Sequence, residues 1–361
     1  MRAFAEHLGI AIRTVSKWEA GGCEVQPRPH MQAILDTAIG RAGDDAKARF
    51  DSFLSRANSV GDVAPAQVLS DEPTAELRER LSSSAAVDAE AISLLASQAD
   101  RIRELDRCLG ARSAELMLTG YLDTLRTLRT FAVAPNQREA LADLYADAAA
   151  LAGWQSLDLG HLTASWQHHE AAKDAGREGR SLSTLVHAMA QQAYVLLDLG
   201  ENERAVELVG YARQFASTSV PRLLQAWLLA VDGEAQAFEG NALQSHEAFD
   251  AAEKLLPEEA TDPELPYIML DPTHLGRWRG NALAKLGEPG ATEELRRALD
   301  SLDATFTRAR AGLHVDLAQA HMATNQQSEA RSELRVAKEL ATQVGSARQR
   351  RRIRKLETVL Q

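Results

Sequence analysis

The last two-thirds of this 361-residue chain contain an internal repeat, and that repeat limits the fold more than any other feature. A turn-forming residue recurs about every 40 residues, with small residues at fixed distances on either side. The turn residues are Gly160, Gly200, Gly240, Gly287 and Asn325. Seven positions before them lie Gly153, Ala193, Gly233, Gly280 and Ala318, and five positions after them lie Ser165, Ala205, Ser245, Thr292 and Ala330.

A third small position follows each turn by twelve residues: Ala172, Ala212, Ala252, Leu299 and Ala337. Leu299 breaks the pattern unless the insert at 288–290 shifts the fourth copy by one residue, which would bring Ala298 into register. Two helices that cross at close range need small residues at the crossing, and a glycine between them lets the chain reverse. The composition agrees, because 63 residues are alanine, the best helix former, while aromatic residues are only 5%. The sequence therefore predicts an all-α protein.

These offsets resemble the tetratricopeptide repeat. In its frame the five copies are residues 146–179, 186–219, 226–259, 273–306 and 311–344. The resemblance implies a right-handed α-solenoid of stacked helix pairs over residues 88–361, with a capping helix at the C-terminus and a concave groove lined by the first helix of each pair. It implies groove-facing ligand residues at Trp154, His187, Tyr194, Trp227, Phe238, Arg277, Trp278 and Asn281.

Each of these groove residues has an alternative role in packing. As a set, three tryptophans in one groove are more unusual, since the chain has five in all. Arg277, Trp278 and Arg279 place cationic and aromatic groups together, which suits a carboxylate such as a peptide C-terminus. The alternative is that both arginines are exposed and Trp278 belongs to the core.

The first 43 residues have a different pattern, which predicts a helix, a tight turn and a second helix. Gly9 follows a short apolar face, and a helix is expected from Ala11 to Glu19, with Val15 and Trp18 facing inward. This segment, FAEHLGIAIRTVSKWEAGG, resembles the helix-turn-helix of the XRE (Cro-type) repressors. In that family the second helix of the motif enters the major groove of DNA.

The resemblance implies DNA-contacting residues at Ile12, Arg13, Thr14, Ser16, Lys17 and Arg28. Arg13 would pair with a guanine edge, while Thr14, Ser16 and Arg28 would contact phosphates. The alternative is an ordinary solvated helix. The family's domain has one more helix before this motif, so we expect residues 1–43 to be an N-terminally incomplete domain, from either an upstream start site or a truncation.

Three further segments have less definite patterns. Residues 44–87 are predicted to be a linker with one short helix around 75–81. The proline-rich segment between the third and fourth copies contains Tyr267-Ile268-Met269-Leu270, which could plug the groove, cap the core or meet a second subunit; packing is the simplest. The tail RQRRRIRKLETVLQ is either a nucleic-acid patch or, as we favour, the capping helix with its charges in water.

Charge and cysteine content exclude several classes of protein. Two distant cysteines exclude a disulfide scaffold and a cysteine-based zinc site, and they suit the cytoplasm. No nucleotide-binding, metalloprotease or hydrolase motif occurs, so we expect no enzyme and no cofactor or metal. No apolar stretch reaches the ~18 residues of a membrane span. The net charge of −11 combines +1 over residues 1–43 with −12 over the remainder, which permits a small DNA-binding head.

Together these patterns predict a transcriptional regulator that binds a double-stranded DNA operator. The solenoid would sense a peptide, small-molecule or protein ligand in its groove, mediate homodimerisation, or both. This arrangement is similar to peptide-sensing regulators of Gram-positive bacteria and to actinobacterial helix-turn-helix proteins with such repeats. The alternative is a protein–protein interaction scaffold with a vestigial DNA-binding head.

Overall fold

The computed structural model describes residues 71–360 continuously, and before them residues 4–5, 8–21, 31–32, 34–35, 37–38 and 47. Over these residues the chain forms fifteen named helices and no strand, apart from one isolated bridge between Thr261 and Met269. The all-α prediction is confirmed. Packing divides the chain into two compact units, residues 1–75 and 76–361. None of the helices in the described ranges is long and apolar enough to cross a bilayer.

The helices are α1 (Ile12–Gly21), α2 (Asp71–Ala85), α3 (Ala89–Leu109), α4 (Ala111–Phe131), α5 (Pro135–Asp158), α6 (Leu162–Glu178), α7 (Leu182–Leu199), α8 (Asn202–Ala216), α9 (Arg222–Glu239), α10 (Ala242–Leu255), α11 (Pro272–Leu286), α12 (Ala291–Ser301), α13 (Thr307–Ala323), α14 (Gln327–Gln343) and α15 (Ala347–Val359). From α3 onward each helix packs against the next in sequence. In addition α9 packs on α11, and α11 on α13. This succession of packed helix pairs is compatible with an all-α solenoid.

The five predicted turn residues all adopt the left-handed backbone conformation. The four glycines have φ between 71° and 89°, and Asn325 has φ of 61°. Gly200, Gly240 and Gly287 directly follow α7, α9 and α11, and their backbone N–H groups donate to carbonyls of the last helical turn. Glycine and asparagine tolerate this conformation best, which explains their recurrence at these positions. The predicted positions of the turns are confirmed.

Small residues occupy the crossings within the helix pairs. A Cβ on Gly153 would lie 2.6 Å from the His169 ring, and a Cβ on Gly233 would lie 2.6 Å from the Phe249 ring. Two of these crossings also carry a matching hydrogen bond. The Ser165 hydroxyl donates to the Gly153 carbonyl at 2.7 Å, and the Ser245 hydroxyl donates to the Gly233 carbonyl at 2.8 Å.

The fourth copy is shifted by one residue, as the insert at 288–290 allowed. Ala291 and Ala298 are buried there, whereas Thr292 and Leu299 are partly exposed. With the extra residues after Gly287, which include Gly290 with φ of 93°, α12 begins four residues after the turn residue instead of two, and its buried alanines lie one position earlier than in the other copies. Thr292 and Leu299 are therefore not the crossing residues of this pair.

The helix in the predicted linker is longer than expected. It runs over Asp71–Ala85 instead of about 75–81, because Pro73 lies in its first turn, where proline does not disturb helical hydrogen bonding. Its end is tied to the following helices. The Ser84 hydroxyl donates to the Leu128 carbonyl at 2.7 Å, and the Gln137 side-chain amide donates to the Ser84 carbonyl at 2.8 Å.

The two ends of the helical unit meet. Arg308 on α13 pairs with Asp106 on α3 at 2.7 Å and with Asp158 on α5 at 3.2 Å. Arg348 on α15 pairs with Asp198 on α7 at 2.9 Å. We call these contacts, together with the Ser346–Asp158 hydrogen bond, the clasp. The clasp joins residues 150 to 202 positions apart, so the row of helices is closed on itself.

The C-terminal helix α15 differs from the expectation that its charges lie in water. Ile353 is buried against the preceding helices, as a capping helix requires. However, Arg348, Arg351 and Arg352 turn toward carboxylates of other helices, at Asp198 and Asp316. Asp198 comes from α7, far along the chain, and Asp316 from α13 in the preceding helix pair, and the local pattern of the tail reveals neither partner.

Candidate functional site

The closed row of helices surrounds a cavity of about 970 Å³. Its wall comes mainly from the first helix of each pair, together with α3, α15 and the segment between α10 and α11. Protein cavities that bind drug-sized ligands span roughly 300–1,000 Å³, so this one is at the large end of that range. All of its lining residues belong to the unit of residues 76–361.

All eight residues predicted to face the groove line this cavity: Trp154, His187, Tyr194, Trp227, Phe238, Arg277, Trp278 and Asn281. They come from α5, α7, α9 and α11, and each one lies on the first helix of its pair. The residues predicted from the resemblance to the tetratricopeptide frame thus share one surface, the wall of this cavity. Their contact with a ligand remains a prediction.

An aromatic wall runs along one side of the cavity. The His187 ring stacks on the Tyr267 ring with centroids 4.2 Å apart. The His187 ring also contacts the Trp227 ring, with centroids 4.9 Å apart. Trp227 in turn meets the edge of Trp278 at 6.1 Å. Burial lowers the pKa of His187 well below its ordinary value, so the ring is neutral at physiological pH. We refer to Tyr267, His187, Trp227 and Trp278 as the aromatic wall.

A second aromatic contact lies beside the clasp. Trp154 and Tyr194 meet edge to face with ring centroids 5.8 Å apart. The Arg348 guanidinium lies over both rings, 5.7 Å from the Trp154 centroid and 5.8 Å from that of Tyr194. Because Arg348 also pairs with Asp198, the clasp forms part of the cavity wall.

A buried acid lies opposite Tyr194. The Tyr194 hydroxyl donates to Glu234 Oε2 at 2.5 Å, and both side chains are buried. Burial raises the pKa of Glu234 to about 7, although the tyrosine hydrogen bond and neighbouring arginines act in the opposite direction. Near neutral pH this carboxyl group is therefore protonated in a substantial fraction of molecules.

Arg277 differs from the other cavity arginines that are at least partly buried. Among the described residues its guanidinium makes no hydrogen bond or ion pair, and its buried Nε has no partner. Its contact is with the Trp278 ring, 5.7 Å from the centroid. Burial lowers the pKa of Arg277, while nearby Glu234 and Asp316 oppose that shift. A guanidinium in such a place is still charged, because its ordinary pKa is far above neutral.

Arg279 does not join Arg277, contrary to the expectation of a paired anchor. It pairs with Glu253 at 2.9 Å on α10, outside the cavity. Residues two apart on a helix point to different faces, so two arginines at this spacing cannot converge on one ligand. Trp278 lines the cavity as well as packing against the core.

The cavity carries the opposite charge to the whole chain. Its lining includes nine Arg and Lys residues but six Asp and Glu residues, whereas the net charge of the protein is −11. Two of the cations, Lys285 and Lys355, are exposed near its edge. Partial loss of hydration beside the cavity wall, together with the neighbouring cations Lys355 and Arg352, lowers the pKa of Lys285. The cavity therefore favours an anionic ligand.

The proline-rich segment between α10 and α11 has two roles. Leu265, Ile268 and Leu270 are buried in the main core, which agrees with the packing interpretation. Tyr267 packs against the same core and also completes the aromatic wall of the cavity. The segment therefore both packs and covers part of the groove.

The predicted DNA-contacting residues lie on α1. Ile12, Arg13 and Lys17 are exposed, and Thr14 and Ser16 are partly buried. Val15 is buried on the opposite side, as predicted, and Trp18 is partly buried. Arg28 lies outside the described residues.

Sequence reasoning missed most of the charged residues of the cavity. Glu234, Asp316, Arg348 and Arg352 all line it. For Glu234 and Asp316 the available signal was an acidic residue within an otherwise apolar helical stretch. For the two arginines the sequence offers no signal, because they reach the cavity only through closure of the helix row.

No protein-family model matches the chain, and no curated protein is significantly similar to it.

Proposed function

We propose that this protein is a DNA-binding transcriptional regulator whose helical unit binds a ligand in the central cavity. The observation that carries the proposal is α1, which exposes Ile12, Arg13 and Lys17 on one side while Val15 is buried on the other. A helix that presents side chains able to reach base edges and phosphates is what a recognition helix requires.

The turn before α1 supports the same proposal. Gly9 has φ of 66°, and the Ile10 N–H donates to the Ala5 carbonyl at 3.0 Å, which closes the end of the preceding helical residues. Ala5 and Leu8 are buried before this turn. These contacts are those expected of the XRE-type helix-turn-helix, with Arg13 reading a guanine edge and Lys17 contacting the backbone of the operator.

The cavity supports a sensing role for the tetratricopeptide-like unit. It is large, aromatic on one side and cationic, so it can enclose an organic ligand. The head carries a net charge of only +1, so tight binding to an operator would need two heads on one site. We therefore propose a cytoplasmic homodimer in which the ligand changes the spacing of the two heads.

Selection of DNA by the full chain tests this function. Random-sequence duplexes are incubated with the protein, and the retained fraction is sequenced. We expect one enriched motif, and the Arg13→Ala/Lys17→Ala variant should lose about 10- to 100-fold or more in affinity for it, since each good base contact contributes about 1–3 kcal/mol.

The matched control removes two exposed cations of the helical unit, in an Arg297→Ala/Lys338→Ala variant. Arg297 and Lys338 are exposed to a similar degree, at 64% and 65% of the side chain. This variant should retain full affinity for the motif. If no motif is enriched, or if affinity survives the loss of Arg13 and Lys17, the proposed regulator function is wrong, and co-purification of a stable protein partner would then favour the scaffold.

A further inference from the structure

The ligand proposed above can be assigned to a chemical class from the charges inside the cavity. The starting point is Arg277, which is half-buried in the cavity wall, has a buried and unpartnered Nε, and has no acidic partner within ion-pair distance among the described residues. Burying a charge without a partner is costly, and the cost falls when an anion binds to it. Arg277 is therefore a position where the cavity would stabilise a bound anion.

Glu234 is the first acidic residue of the cavity to consider as a neutralising partner for Arg277. It is instead hydrogen-bonded by Tyr194, and burial holds its pKa at about 7. A carboxyl group that is protonated in part of the molecules near neutral pH compensates the guanidinium only incompletely. Room for a second negative charge therefore remains beside Arg277.

The other arginines that are at least partly buried in the cavity wall already have carboxylate partners. Arg103 pairs with Asp147, Arg308 with Asp106 and Asp158, Arg348 with Asp198, and Arg352 with Asp316. Among the described residues, one partly buried guanidinium of the cavity is thus unpaired, which matches a ligand with one negative charge better than a doubly charged phosphate monoester. Arginine presents two parallel N–H donors, which is the geometry of a carboxylate.

The surroundings of Arg277 determine the rest of the ligand. Its guanidinium lies next to the Trp278 ring, and Trp278 continues into Trp227 and His187 along the aromatic wall. Flat rings pack well on such a surface, in offset or edge-to-face contacts worth about 0.5–1.5 kcal/mol each beyond area burial. A planar ring attached to the carboxylate would therefore lie on Trp227 and Trp278.

The boundaries of the cavity favour a small molecule over an extended peptide. Along the groove, α15 is tied to α7 through Arg348 and Asp198, and the segment before α11 places Tyr267 on His187. Both elements lie across the row of helices that a long peptide would follow in an open solenoid. A compact ligand fits between them without breaking either contact.

We propose that the cavity binds a small aromatic carboxylate, with its carboxylate on Arg277 and its ring on Trp227 and Trp278. This assignment rests on the proposed ligand-binding function and specifies its ligand.

Calorimetric titration of the full chain with two isosteric probes tests the assignment. α-Naphthoate carries the carboxylate and ring, while α-naphthamide has the same shape without the charge. We expect α-naphthoate to bind about 10- to 100-fold more tightly, the ratio that a charged hydrogen-bonded pair confers. The Arg277→Gln variant should bind both probes with equal, weak affinity.

Arg279→Gln is the matched control, since it removes an arginine from the same helix but outside the cavity. This variant should retain the preference for α-naphthoate. Circular dichroism of each variant checks its folding, and the comparison of the two probes on the unaltered protein needs no variant at all.

Four results would overturn the assignment. Equal affinity of the unaltered protein for the two probes would remove the role of charge, and a preference that survives Arg277→Gln would place the anion elsewhere. Failure of both probes to bind would exclude aromatic carboxylates of this size. Tighter binding of a tetraleucine peptide with a free carboxylate would replace the small molecule by a peptide terminus. In each case the DNA selection still reports separately on the regulator function.

Discussion

Ser346 Oγ donates a hydrogen bond of 2.5 Å to Asp158 Oδ1, although the two residues are 188 positions apart in the sequence. The same Ser346 oxygen accepts from the Gln349 N–H at 3.2 Å and so caps the start of α15. Asp158 also pairs with Arg308. One carboxylate therefore holds the last helix and α13 against α5.

Removal of the clasp carboxylate on α7 should destabilise the helical unit. In Asp198→Asn the two arginines Arg348 and Arg351 lose their charged acceptor. Because the pair between Asp198 and Arg348 is largely buried, we expect the free energy of unfolding to fall by about 2–4 kcal/mol. Chemical denaturation followed by circular dichroism measures this change, and hydrogen exchange of α15 should accelerate.

Asp123→Asn is the control for that variant, since Asp123 pairs with Arg126 at 2.7 Å on the exposed surface of α4. Its effect should stay within about 0.5 kcal/mol. Equal effects of the two substitutions would mean that the clasp contributes no more than a surface ion pair.

A methyl group at the crossing of α9 and α10 should also be destabilising. Gly233→Ala places a Cβ 2.6 Å from the Phe249 ring, which is fully buried and cannot withdraw. We expect a loss of about 1–3 kcal/mol of stability, as for other overpacked cores. Thermal denaturation measures it.

The contrasting substitution is Gly210→Ala, within α8, where a Cβ would contact nothing within 4 Å. There alanine should raise the stability by about 0.5–1 kcal/mol through its helix propensity. A neutral Gly233→Ala would show that α9 and α10 can move apart at little cost.

The stability of the protein should depend on pH through Glu234. Burial raises its pKa to about 7 in the folded state from an ordinary value of 4.5, so the folded protein holds a proton that the unfolded chain releases between these values. Stability from this group is present at low pH and is lost as the pH rises through that window.

Glu234→Gln isolates this contribution, because glutamine still accepts the Tyr194 hydrogen bond but does not titrate. The stability of the variant relative to the unaltered protein should rise between about pH 5 and about pH 8, by at most about 3 kcal/mol. Denaturation curves across this range give the difference directly. Parallel pH profiles would show that Glu234 has the same pKa in the folded and unfolded chains.

Loss of the unpaired guanidinium should stabilise the empty protein. In Arg277→Met the desolvated charge disappears, while the new side chain keeps apolar contact with Trp278. We expect the melting temperature to rise, by an amount equivalent to about 1 kcal/mol or more. A fall in melting temperature would indicate that Arg277 makes stabilising interactions in the empty cavity.

The periodic features of the fold were predictable from the sequence. Gly160 and Asn325 have different side chains but adopt the same left-handed conformation, which their equivalent positions in the repeat predicted. The groove residues followed from the resemblance to the tetratricopeptide frame, in which Trp154, Tyr194 and Trp227 lie on the first helix of successive pairs. A helix keeps the same period along its whole length, so a local sequence pattern is enough to predict which residues share a face.

Contacts between the ends of the chain were not predictable in this way. Arg348 is one of several arginines in a basic tail, and nothing near it in sequence indicates Asp198 as its partner. Closure depends on the accumulated curvature of all the helix pairs, to which each pair adds a small rotation. The charge balance of the cavity, and with it the unpaired state of Arg277, depends on that closure.

The clasp also limits how this chain can change over evolutionary time. An open solenoid gains or loses a helix pair readily, because each unit contacts only its neighbours. In this protein an added pair would carry Arg348 and Ser346 away from Asp198 and Asp158, and a deleted pair would bring the two ends into collision. A change in the number of helix pairs would therefore break the clasp, whereas an open repeat protein can grow or shrink by whole units.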